Sequence, residues 1–303
     1  MPERHRPLSL SVLMLMTLAG CAAAPAPEPD PEHREQIEQY RTSREERLRK
    51  ADGWLTLVGL FWLEPGDNPM GSDASNKVVL PAGAAPPRAG NLVYDGREVR
   101  LIAEPGVEIL VEDVSVTDRI LLADADGGPD VVRLGRLRLY VIRREERVGI
   151  RVKDPESPVR LEFHGLDYFP VGSAYRVVGE FRPFPEPREI ELATAVGTRA
   201  HMLVPGEIAF SLGGREHTLL PLVDSPDETE FFLIFRDETS GAETYGAGRY
   251  LYADLEDEKV VLDFNKAYNP PCAFTAFATC SLPPPENRIA SRIEAGEKAY
   301  AGH

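Results

Sequence analysis

Side chains able to do chemistry gather near the C-terminal end of this sequence, where Tyr245, Arg249, Asp263, Asn265 and Asn269 precede Cys272 and Cys280. Arg249-Tyr250-Leu251-Tyr252-Ala253 and Lys259-Val260-Val261-Leu262-Asp263 read as the strands of a hairpin with a loop over 254–258. A register centred on Glu256 sets Arg249 opposite Asp263, with Asn265 two residues on along the same face as Leu251 and Val261. This set has two readings. One is a structural ion pair that pins the hairpin, with Asn269 and Asn287 bonding loop backbone. The other is a polar pocket floor in which Arg249 grips an anionic or hydroxyl-rich ligand beside Tyr245. As a catalyst, Asp263 would be the general base, yet a contacting arginine lowers a carboxylate's pKa and makes it a poor base near neutrality. Binding suits these residues better than catalysis.

Beyond His5 near the N-terminus, the histidines His33, His164, His201, His217 and His303 are scattered singly. Cys272 and Cys280 with His164 or His217 would still want a fourth ligand for a structural metal site, so neither metal nor cofactor is expected. Gly-x-Ser-x-Gly, His-Glu-x-x-His, the Walker loop and a strand-borne Gly-x-Gly-x-x-Gly are all missing from the sequence. With a formal net charge of −15 and no basic run, the chain repels phosphate backbones, which excludes nucleic acid as a partner.

The N-terminus carries its own chemistry. Arg4 and Arg6 precede an apolar run over Leu8–Ala19, which ends in Leu18-Ala19-Gly20-Cys21. A positive start, a short apolar stretch and small residues make residues 1–20 a secretory signal peptide, too short to remain as a membrane span. The last four residues resemble the lipobox of bacterial lipoproteins. That resemblance implies cleavage before Cys21, lipid on its thiol and new amino group, and attachment to the cell envelope facing the periplasm. Ala22 is not the aspartate that favours inner-membrane retention, so the outer membrane is preferred. Losing Glu3, Arg4 and Arg6 from 49 acidic and 34 basic residues leaves 48 and 32, a charge of −16. The membrane is then held through lipid and not through charge. With Cys21 acylated, Cys272 and Cys280 are an even pair in an oxidising compartment and read first as a disulfide.

The elements that must position these residues are mostly strands. Residues 21–31, with four prolines, form an extended tether. Residues 32–52 are rich in Glu, Arg and Gln without Pro or Gly until Gly53 and read as a helix, whose few apolar residues (Ile37, Tyr40, Leu48) cover the body. From Trp54 onward short apolar runs alternate with turns, as at Asp95-Gly96 and Pro105-Gly106. The fold class is therefore mainly β: an N-terminal β-sandwich over 53–165, packed on a second antiparallel β region over 166–303 with a Pro-rich tail.

Two further resemblances bear on that reading. Gly66 to Pro81, through Gly71-Ser72-Asp73 and Lys77-Val78-Val79-Leu80, resembles the opening of a forkhead-associated domain. Ser72 stands where that family has its phosphothreonine-binding arginine, so the likeness implies a sandwich and no phosphopeptide site. Trp54-Leu55-Thr56-Leu57-Val58-Gly59-Leu60-Phe61-Trp62-Leu63, Arg151-Val152-Lys153-Asp154, Thr244-Tyr245-Gly246-Ala247-Gly248-Arg249 and Asp263-Phe264-Asn265-Lys266-Ala267-Tyr268-Asn269-Pro270-Pro271-Cys272-Ala273-Phe274 together resemble the bacterial family catalogued as domain of unknown function 1684. That resemblance implies no reaction or ligand.

The expectation is an uncharacterised lipid-anchored envelope protein that binds a small polar ligand or an envelope partner near Arg249, Asp263 and Asn265. The alternatives are a hydrolase-like enzyme using Asp263 and Cys272, or a purely structural envelope protein. Cells grown with radiolabelled palmitate should yield labelled protein, and Cys21→Ala should abolish the label. An unlabelled, freely diffusing wild type would refute the anchor.

Overall fold

The computed structural model describes residues 30–301. The expected signal peptide, lipidation at Cys21, most of the tether and His303 lie outside the described residues.

The chain opens with helix α1 (Pro31–Arg49). Asp30 caps it by accepting from Glu32 N, Pro31 occupies its first turn, and Arg47 and Arg49 sit where the helix dipole favours cations. Ile37, Arg44 and Leu48 are buried on one stripe, so α1 lies on the body by that face and turns most of its other charges to solvent. Trp54–Thr56 then make a single 3-10 turn, where a strand had been expected, and strand pairing starts at Leu57.

Eleven strands follow: β1 (Leu57–Trp62), β2 (Gly66–Gly71), β3 (Val78–Val79), β4 (Gly90–Tyr94), β5 (Val99–Ala103) and β6 (Leu110–Val111), then β7 (Val114–Ser115), β8 (Asp118–Leu121), β9 (Val132–Leu134), β10 (Leu137–Arg144) and β11 (Arg147–Lys153). They form two sheets, ordered β1-β11-β10-β9-β6-β7 and β3-β2-β4-β5-β8. Leu92 and Leu101 from one sheet meet Leu139 and Ile150 from the other in one core, so the two sheets make a sandwich. Period-two alternation accounts for it: Leu137, Leu139 and Val141 point in, while Arg138 and Tyr140 between them stay partly exposed. A short helix, α2 (Pro158–Leu161), leads onward.

The second region is a six-stranded antiparallel sheet of β12 (Arg176–Ala193), β13 (Arg199–Leu212), β14 (Arg215–Leu219), β15 (Glu230–Phe235), β16 (Arg249–Glu256) and β17 (Lys259–Asp263), ordered β14-β13-β12-β17-β16-β15. One face is apolar. Phe210, Phe231, Leu233, Leu251 and Leu262 pack there against Ile289, Ile293 and Ala295 of an irregular strap that runs over 285–300. The long β12–β13 hairpin reaches back to the sandwich, where Leu192 and Val204 join Leu57 in a smaller cluster.

The expected register of the last hairpin is wrong. Leu255 pairs with Val260 and Glu256 with Lys259, which leaves a two-residue turn, Asp257-Glu258, both in the left-handed region at φ 47° and 63°. The β16–β17 ladder ends after these two pairs, Phe264–Lys266 then form a 3-10 turn, and pairing resumes at Tyr250 with Tyr268. Arg249 therefore lies opposite Phe235 and not Asp263, which pairs with Arg176. The offset is odd, so Leu251 and Val261 fall on opposite faces. Left-handed conformation at two residues with a Cβ is costly, and Asn-Gly suits such a turn. Replacing Asp257-Glu258 by Asn-Gly should raise urea-unfolding stability by about 1 kcal/mol. A loss would contradict the turn geometry.

Candidate functional site

Arg249 lies on the core face, fully buried beneath the strap. Its Nη2 reaches Asp237 Oδ1 at 3.2 Å and Ile293 O at 3.0 Å, and its Nη1 bonds Ala295 O. Asp237 also accepts from Ile293 N at 2.8 Å and from the Thr239 hydroxyl. This is the structural reading of Arg249, with a different partner from the one expected.

The other expected residues separate. Asp263 Oδ2 meets His33 Nε2 of α1 at 2.6 Å, while Oδ1 accepts from Asn265 Nδ2 at 2.9 Å. Asn265 also clamps Gly172, accepting from its N at 2.9 Å and donating to its O at 3.0 Å. Asn269 Nδ2 donates to Lys298 O at 2.7 Å, and its backbone N donates to Glu297 Oε2, also at 2.7 Å. Tyr245 donates to Cys272 O at 3.0 Å. The expected Cys272–Cys280 disulfide is not formed in this structure: both are free thiols, with Cys272 N donating to Cys280 Sγ at 3.1 Å. Among the described residues no hydrogen bond joins Asp263 to Cys272: Asp263 bonds His33 and Asn265, and the Cys272 carbonyl accepts from Tyr245.

Sequence reading missed Arg44. It is buried on α1, with Nε on Glu297 Oε1 and Nη2 on the Asn269 carbonyl, both at 2.9 Å. The signal was its place on the Ile37–Leu48 stripe. Both Glu297 oxygens accept hydrogen bonds, as an ionised carboxylate does. Gly296 lets the strap approach so closely. Its φ is +77°, and a Cβ there would lie 2.4 Å from the Ala267 carbonyl oxygen. Around this pair, Tyr40 donates to Lys266 O at 3.0 Å and Arg41 to Phe169 O at 2.8 Å.

Docking of α1 leaves a cleft of about 570 Å³ between the helix, Trp54 and the outer face of the second sheet. Strand alternation puts Tyr250, Tyr252 and Asp254 on that face, with Phe232 and Glu230 beside them on β15. Phe232 stacks on Tyr252 with centroids 5.0 Å apart, Tyr252 on Tyr268 at 6.3 Å, and Tyr250 stands edge-on to Phe232 and Tyr268. The Arg44 guanidinium covers Tyr268 at 4.8 Å. Burial pushes Tyr40 up to about 12 and raises Tyr250, Tyr252 and Tyr268, so these phenols stay protonated at neutral pH.

Charge in the cleft is divided. Arg47 and Lys266 line it without a carboxylate partner among the described residues. Glu230 and Asp254 line it too, directly opposite one another across β15 and β16, a like-charge pairing that a strand ladder disfavours. The cleft continues along α1 into hollows of about 450 and 350 Å³, the first reaching Asp263 and the second His33.

Residues 161–298 match the family model described as "Protein of unknown function (DUF1684)". Over that stretch, a little under half of the chain, the sequence is similar to this family. The DUF1684 portion holds the second sheet, both tail cysteines and Glu297; α1 and Trp54 lie before it. The chain is similar to an uncharacterized protein of Haloarcula marismortui solved by NMR, at 32% identity over 49% of this chain and 83% of that one, with a TM-score of 0.41. It is also similar to the FhaA FHA domain, at 22% identity over 31% of this chain and 97% of that one, with a TM-score of 0.23. No curated protein matches the chain.

Removing one member of a fully buried, hydrogen-bonded pair strands the other's charge, at a cost of about 3–5 kcal/mol. Arg249→Met should therefore lower urea-unfolding stability by about that amount, and adding Asp237→Leu should recover part of the loss. Additive losses would mean the two residues are not coupled.

Proposed function

We propose that this protein is a lipid-tethered binding module of the cell envelope, whose cleft beneath α1 takes a small ring-bearing ligand. The observation that carries this reading is the stacked wall of Phe232, Tyr252 and Tyr268, flanked by charges with no ion-pair partner among the described residues. Aromatic faces in a concave site attract the flat or apolar face of a ring, and the few polar groups around them fix its orientation. Arg47 and Lys266 suit a carboxylate or phosphate on one side of the ring. Glu230 and Asp254 suit hydroxyl or ammonium donors on the other, and such donors would relieve the repulsion between them. An acidic sugar or a zwitterionic aromatic compound has both ends.

The lipobox-like Leu18-Ala19-Gly20-Cys21 and the proline-rich tether support placement at a membrane surface. The negative charge supports a module that stands off anionic lipid. Binding fits the residues better than hydrolysis, because both oxygens of Asp263 are already engaged by His33 and Asn265.

A thermal-shift screen of uronic acids, sugar phosphates and aromatic amino acids checks the reading. A ligand at a hundred times its Kd stabilises the native state by about 2.7 kcal/mol. Tyr252 is half exposed and Arg47 lies on the exposed face of α1, so neither belongs to the buried core. Tyr252→Ala and Arg47→Glu should each abolish the shift while leaving the ligand-free melting temperature within a degree or two. A shift that survives both variants, or no shift with any class, would refute the cleft as the site.

A further inference from the structure

We infer that Cys272 and Cys280 form a thiol–disulfide exchange site for small-molecule disulfides, with Cys272 attacking and Cys280 resolving. The two thiols are held in contact by backbone that does not need a bond between them. Pro270 and Pro271 start the 3-10 turn that carries Cys272, and Ala273 N donates to Pro270 O at 2.9 Å. Cys280 is fixed from the other side, where its carbonyl accepts from Ala195 N and Ser281 bridges to Thr194 at the tip of β12. The reduced site is complete as it stands.

Its two halves are unequal, as an exchange site requires. Cys272 is partly exposed and follows Pro271, which lines the cleft, whereas Cys280 is buried among Leu57, Leu192 and Tyr250. Cys272 N donates to the Cys280 sulfur at 3.1 Å, which sets the two thiols side by side. Tyr245 is anchored by its hydroxyl on the Cys272 carbonyl, beside the same thiol. The neighbouring Cys280 thiol, and then Tyr245, hold the Cys272 thiol below the usual range against the pull of burial. The same contact, together with burial, drives Cys280 up. A thiolate is the nucleophile in exchange, so attack falls to the residue that a disulfide can also reach.

The steps balance. Cys272 thiolate bonds one sulfur of R–S–S–R, and the S–S bond breaks to release one RS⁻. Cys280 then gives its proton to that thiolate and attacks Cys272 Sγ, releasing the second RS⁻, which takes a proton from solvent. The protein is oxidised to the Cys272–Cys280 disulfide and R–S–S–R is reduced to two thiols. A dithiol or excess monothiol drives the reverse. Tyr245 is a positioning residue in this scheme.

The test incubates the full chain in glutathione and glutathione disulfide at varied ratio and reads alkylated mass. The pair should open and close reversibly within the accessible ratios. Cys280→Ser should trap glutathione on Cys272, and Cys272→Ser should leave Cys280 unmodified. Tyr245→Phe should shift the pH midpoint of Cys272 alkylation upward by at least half a unit. Should Cys280→Ser fail to fold, timed iodoacetamide labelling of reduced wild type decides, with Cys272 labelled at least tenfold faster. A bond that persists in pure reduced glutathione, thiols that stay open in pure glutathione disulfide, first modification at Cys280, or an unmoved midpoint in Tyr245→Phe would each overturn the assignment.

Discussion

Two buried ion pairs hold the irregular end of this chain inside the molecule. Arg44 with Glu297 and Arg249 with Asp237 lie where charge is costly, and each is tolerated because its remaining polar atoms are largely engaged by backbone, that of Asn269 for the first pair and that of the strap for the second. A segment without helix or sheet has backbone groups that need partners once buried. Arg249 supplies donors to the carbonyls of Ile293 and Ala295, Asp237 accepts from Ile293 N, and Asn287 does both for Leu220. Ile289, Ile293 and Ala295 can then close the apolar face of the second sheet.

That closure decides which face of the sheet is left for function. With Arg249, Leu251 and Ala253 turned toward the strap, the alternate residues Tyr250, Tyr252 and Asp254 turn outward by necessity. Arg44 bridges the faces, since its carboxylate partner is on the strap while its guanidinium covers Tyr268 in the cleft. Helix α1 is thus set as the cleft's second wall by the same polar network that seals the core.

Much of the architecture was legible in the residues. Alternation is visible in strands such as Leu137–Arg144, and the lack of Pro and Gly after Pro31 marked α1. Register was not legible, because the 3-10 turn Phe264–Lys266 changes pairing between β17 and Tyr268, and a short apolar run gives no sign of such an excursion. Arg249 stood out as a charge on an apolar face, yet its partner is twelve residues upstream in an intervening loop, a relation that hairpin reasoning does not reach. Asp263, Asn265 and Asn269 were found as polar residues and turned out to tie loop backbone and α1. The aromatic wall did leave a trace in Tyr250-x-Tyr252, but its meaning depended on knowing which face the strap covers.

Hydrogen exchange across α1 tests the docking of the helix most directly. In the full chain the amides of residues 37–48 should exchange slowly. In Glu297→Gln, which leaves Arg44 buried without its counter-charge, they should exchange at least a hundredfold faster, while sandwich amides such as those of Leu139 and Ile150 keep their protection. Free exchange of α1 in the wild type, or a helix as protected in Glu297→Gln as without the change, would contradict an ion-pair clamp that builds the cleft.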